Sequence, residues 1–127
     1  MKITRFEDLQ AWQQARVLAN LVYDANDQGN FARDFKLQDQ IRGAAGSVMH
    51  NCAEGFDAGF DNEFVVFLKY ARRSASEIQS QIYLALDRKY VDELGFKQIY
   101  DKATEAKKII NALTAYLKRS KQGKRRA

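Results

Sequence analysis

The sequence predicts an all-α protein, an antiparallel up-down-up-down four-helix bundle formed by residues 1–117. Three observations predict it. Apolar residues recur at spacings of three and four along four long stretches, the period of a helix face. The 127 residues include no proline, so the commonest helix breaker is missing throughout. No segment shows the apolar–polar alternation of a half-buried strand. Four long helices joined by short connections bury their apolar stripes against one another as a bundle.

The first helix is predicted over 7–27, with Leu9, Trp12, Ala15, Ala19 and Val22 on its inner stripe. Val17, Leu18 and Leu21 add a second apolar strip, and Gly29-Asn30 ends the helix. The second is predicted from 34 or 35 to 56, with Leu37, Ile41, Ala44, Ala45, Val48 and Cys52 inward. Gly43 and Gly46 lie inside it, each costing about 1 kcal/mol against alanine. They point to a close approach by another helix or to a local kink. Residues 57–61 read as a turn, with Asp61 as N-cap of the third helix. That helix is predicted over 62–88, with Phe64, Phe67, Leu68, Ala71, Ala75, Ile78, Ile82 and Ala85 inward. A break follows at Tyr90-Val91-Asp92. The fourth helix carries Phe96, Ile99, Ala103, Ala106, Ile110, Leu113 and Leu117, a three-heptad a/d stripe suited to packing at about +20°.

Apolar residues also stand off these stripes: Val17, Leu21, Val66, Tyr70, Tyr83, Ile109 and Tyr116. A contiguous apolar surface needs a partner, so a homo-oligomer is expected. The net charge of +5 is unevenly placed. Residues 118–127 hold Lys118, Arg119, Lys121, Lys124, Arg125 and Arg126 and no acid, while the other 117 residues hold 15 basic and 16 acidic side chains. The whole excess therefore sits in a short basic tail. Its bland reading is a solubilising end. Its sharper reading is an arm that meets nucleic-acid phosphates without reading bases. No export signal or membrane span is read from the sequence, and one unpaired cysteine fits the cytoplasm.

Enzyme chemistry is poorly supported. One histidine, His50, and one cysteine, Cys52, are too few for a His/Cys metal site or a di-iron bundle. Two residues apart on a helix, they point about 200° away from each other and form no nucleophile–base pair. No phosphate-binding glycine loop occurs. Asp57, Asp61 and Glu63 lack the spacing of a calcium loop and read as a solvated turn. No catalytic residue, cofactor or metal is assigned. Polar residues inside the second and third helices form the less ordinary feature: Gln40, Ser47, Asn51 and Glu54 on one side of the second with Arg42 on a neighbouring face, and Ser74 and Glu77 on the third. With the turn centred on residue 59, position n lies opposite about 118 − n. This predicts an Arg42–Glu77 ion pair and a hydrogen-bonded layer fixing helix register. Glu54 and Glu77 fall about 20 Å apart, too far for an acid–base pair.

Several segments together carry a resemblance. They are Phe6-Glu-Asp-Leu9-x-x-Trp12, Gln40-Ile41-Arg42-x-Ala44 with Ser47, and Asn51-x-Ala53-Glu54-Gly55. Glu63-Phe64-x-x-Phe67-Leu68 and Ala71-Arg72-x-Ser74-x-x-Glu77 complete the set. Together they resemble the bacterial four-helix-bundle proteins, whose members include proteins encoded in intervening sequences of the large ribosomal RNA gene. More remotely they are similar to the accessory variability determinant of diversity-generating retroelements. The resemblance implies a ring-like homopentamer with a basic surface for nucleic acid, and no catalytic residues. Two positions depart from the family pattern: Met49 stands where proline is usual, which should straighten the second helix, and Arg73 stands where glycine is usual.

The function expected is a non-enzymatic, oligomeric, nucleic-acid-binding accessory protein, acting on RNA. It would use Lys107 and Lys108 of the fourth helix together with the tail cations Lys118, Arg119, Lys121, Lys124, Arg125 and Arg126. The competing expectation is a scaffold for a protein partner, with function in the off-stripe apolar residues.

Overall fold

Apolar periodicity becomes four helices in the computed structural model, which describes residues 2–119. A 3-10 turn at Phe6–Asp8 precedes α1 (Gln10–Asn26), and a second at Gly29–Arg33 precedes α2 (Phe35–Asp57). Then come α3 (Asp61–Asp87) and α4 (Glu93–Arg119). No strand occurs among the described residues. Each helix packs against the next and α4 closes the ring against α1. Side-chain pairs give the directions. Ser47 meets Ser74 across α2–α3, Tyr83 meets Phe96 and Gln79 meets Thr104 across α3–α4, and Gln14 meets Lys102 across α1–α4. These pairings, with short connections, make the bundle antiparallel throughout. The α1–α2 and α3–α4 connections therefore share one end, and the α2–α3 turn and the end of α4 share the other.

The predicted stripes form the core: Leu18, Val22, Ile41, Val48, Phe64, Leu68, Ile78, Ile82 and Ile110 are all but inaccessible. Phe96 and Leu113 pack at its edge and remain partly exposed, and Phe67, also partly exposed, meets the ring of Tyr70 edge to face. The second helix runs unbroken through Met49, as expected without proline. Its tightest contact lies at Gly55, where an added Cβ would stand 2.7 Å from Phe64 and 2.8 Å from Phe67. Gly43 and Gly46 do not mark a helix contact. A Cβ on Gly43 would meet open space, and one on Gly46 would meet only the ring of exposed His50.

Three boundaries differ from the sequence reading. The first helix starts three residues late, because Leu9 is extended (ψ 124°) and drops its side chain into the core. Phe6 and Trp12 then pack edge to face at 5.3 Å, so Trp12 caps the core from outside instead of lining it. The helix ends at Asn26, and the stretch after it folds as the 3-10 turn that buries Phe31 completely. Asp61 is the first residue of α3 and not its cap. Phe60 holds the cap position in extended backbone without a side-chain bond, after Gly59 turns the chain at φ +90°. Side-chain caps stand on the neighbouring helices instead: Asp34 accepts the Leu37 N–H at 3.1 Å at the start of α2, and Asp92 accepts the Gly95 N–H at 2.7 Å at the start of α4.

Candidate nucleic-acid interface

The polar layer between α2 and α3 is smaller than the sequence suggested. Ser74 Oγ donates to Ser47 Oγ at 2.8 Å, and Asn51 Nδ2 donates to Ser47 Oγ and its carbonyl at 2.9 and 2.8 Å. Glu54 and Glu77 lie outside this layer, on the exposed surface. Arg42 does not pair with Glu77. Its guanidinium sits over the Tyr23 ring at 5.2 Å and reaches Asp27 at 3.9 Å, both at the end of α1. The cause is angular: Arg42 precedes Ser47 by five residues, about 140° around the helix, so Ser47 facing α3 turns Arg42 toward α1. The register also runs three residues later than assumed, since 47 opposes 74.

A second polar cluster, between α3 and α4, escaped the sequence reading. Gln79 donates to the Tyr100 carbonyl at 3.2 Å and to Thr104 Oγ1 at 2.8 Å, and Lys107 Nζ donates to Gln79 Oε1 at 3.0 Å. Lys107 is thus half-buried and engaged in helix packing, while Lys108 is exposed. Consecutive residues diverge by about 100° on a helix, so the two lysines share no face. Lys118 and Arg119 belong to the last turn of α4, two residues beyond the expected bundle boundary. There their charges favour the negative end of the helix dipole, and Arg119 lies 5.9 Å from the Tyr116 ring centre. Lys121, Lys124, Arg125 and Arg126 lie outside the described residues.

Cations also gather at the opposite end, where the sequence reading placed none. Lys89 ends α3 in the left-handed region, φ +62°. Its N–H bonds the Leu86 carbonyl at 2.9 Å and the next N–H, of Tyr90, bonds Ala85 at 2.8 Å. That reversal stacks Tyr90 on Phe31 at 5.4 Å and brings its hydroxyl to Asp34, to which it donates at 2.9 Å. Arg33, Lys36 and Arg88 surround this pair in an open basin of about 620 Å³. The Leu37 N–H, then the Tyr90 hydroxyl, hold the Asp34 carboxyl below its usual range, against opposing desolvation, with Arg88 and Lys36 adding to the shift. The basin was recoverable in principle, because Arg33, Lys36 and Arg88 flank the two connections that an antiparallel bundle must bring together.

Cys52 is buried, and burial pushes its thiol up to about 12, so it stays protonated near neutral pH. Among the described residues no group of His, Cys, Asp and Glu is placed to hold a metal ion. No described helix is long and apolar enough to cross a membrane. These features define the class: an all-α four-helix bundle whose buried polar side chains bond across helix faces. Within that class the chain belongs to the 23S rRNA-intervening sequence protein family, whose family model matches residues 7–112. The matched span includes the basin and the Ser47–Ser74 layer and stops short of the tail. No curated protein matches the chain.

Proposed function

We propose that this protein is a non-enzymatic, self-associating accessory protein of the cytoplasm that binds the phosphate backbone of nucleic acid, RNA in the first place. The observation that carries the reading is the placement of charge. The entire net positive charge lies in residues 118–127, and the first two of these cations stand exposed on the last turn of α4. Membership of a family of ribosomal RNA intervening-sequence proteins agrees with an RNA partner. Lys108 can add to such a surface, whereas Lys107 is occupied by Gln79. Self-association is supported by Val17, Val66, Tyr70, Tyr83 and Tyr116, each between 44% and 50% exposed. Joining several tails in one particle multiplies weak phosphate contacts through effective concentration. A fivefold ring is what the family resemblance implies.

Replacing the six tail cations by glutamine tests the reading. Binding of a structured RNA, followed by fluorescence anisotropy, should weaken strongly and lose most of its salt dependence. Binding that is unchanged and insensitive to salt contradicts it. The same exposed apolar residues favour the second reading, a protein-binding scaffold. A tight complex with a cellular protein that survives nuclease treatment, in a chain that ignores RNA, supports that reading.

A further inference from the structure

We infer that the basin at the α1–α2 and α3–α4 end is a second nucleic-acid site, one that takes single-stranded nucleic acid by stacking an unpaired base on Phe35 between the cations Arg33, Lys36 and Arg88. The inference rests on the nucleic-acid reading and extends it to the end of the bundle away from the tail. Phe35 opens α2 and is 72% exposed, the highest value among the large hydrophobic residues described. It contributes little to the core, and it lines the same basin as the three cations. The one carboxylate there is already committed. Asp34 Oδ1 accepts the Leu37 N–H and Oδ2 accepts the Tyr90 hydroxyl. Three exposed cations and one occupied carboxylate leave a net attraction for phosphate. An exposed ring among them supplies what phosphates do not, a platform for a base face. Duplex bases are stacked inside the helix and cannot use such a platform, whereas splayed bases of a strand or loop can.

Lys89 adds an independent observation. The chain reverses there with φ +62°, a conformation glycine adopts without strain, yet a lysine occupies it beside Arg88. Lys89 thus carries a further exposed positive charge between two residues that line the basin, Arg88 and Tyr90. The basin and the described cations Lys118 and Arg119 stand at opposite ends of a bundle whose α4 runs 27 residues, about 40 Å. That is several Debye lengths at physiological salt, so their contributions are separable.

The test uses the full chain and two labelled probes of about 20 nucleotides, an oligouridylate and a blunt RNA duplex, with anisotropy read at several salt concentrations. Phe35→Ala should weaken oligouridylate binding roughly tenfold and leave duplex binding unchanged, and Phe35→Trp should restore it. Arg33→Gln with Lys36→Gln and Arg88→Gln should lower the salt slope for the single strand by roughly two, as three lost phosphate contacts require. Thermal melting followed by circular dichroism checks that each variant is folded, and Phe35→Ala alone is sufficient should the triple variant melt early. If the parent protein binds both probes and Phe35→Ala binds them equally well, the basin site is overturned while the broader reading stands. If the parent protein binds neither probe at any salt, both fall.

Discussion

A methyl group on Gly55 would stand 2.7 Å from Cδ1 of Phe64 and 2.8 Å from Cβ of Phe67, inside the contact distance of both. Neither neighbour is the free end of a flexible chain. Gly55→Ala should therefore cost about 1–3 kcal/mol by overpacking the α2–α3 seam. Gly43→Ala meets open space and should gain roughly 0.5–1 kcal/mol of helix stability. Chemical denaturation of the two variants side by side checks both, and equal effects would contradict the assignment of the seam to Gly55. Asn26 presents the opposite kind of misfit. Its side chain is fully buried, and neither amide atom has a hydrogen-bond partner among the described residues. Removing an unmet polar group in favour of an apolar one of similar shape is neutral or stabilising. Asn26→Leu should raise stability by about 1–2 kcal/mol, read as a higher Tm. A lowered Tm would show that the amide is satisfied by an internal water.

Between elements, the Asp34–Tyr90 bond ties the start of α2 to the α3–α4 connection. The Leu37 N–H and then the Tyr90 hydroxyl hold the Asp34 carboxyl below its ordinary 3.8. Its contribution is complete above that value and is lost as pH falls through the lowered one. The bond to Asp34 raises the Tyr90 phenol above its ordinary 10.0, with desolvation adding to the rise. That contribution is complete below 10.0 and is lost as pH rises through the raised value. Tyr90→Phe should melt below the parent at neutral pH. The gap should narrow at both extremes, and a gap independent of pH would contradict the pairing. The same element pair shows how far the sequence was legible. Ile99, Ala103 and Ile110 could be placed in the core because a three-four spacing leaves them one face to share. Phe31 could not, since its burial depends on a five-residue 3-10 turn with no period to detect. Ser47 and Ser74 were legible as a cross-helix pair. Arg42 was mispaired because a register estimate ignores the angle around the helix. The basin went unseen because its cations come from two breaks far apart in sequence, joined only by the topology.

At the scale of the whole molecule, one chain leaves Val17, Tyr23, Val66, Tyr70, Tyr83 and Tyr116 exposed and carries basic groups at both ends of the bundle. In the function we propose, self-association covers the first feature and gives the second its strength. Tails that each bind phosphate weakly act together once several are held in one particle. Phosphate binding of this kind releases counterions and must fade with salt. Light scattering of the purified protein at low and high salt, with and without a short structured RNA, measures assembly and binding together. The account predicts an oligomer of about 73 kDa, five chains of 14.6 kDa, that takes up RNA at low salt and releases it at high salt. A strict monomer, or an oligomer that ignores RNA at every salt, would contradict it.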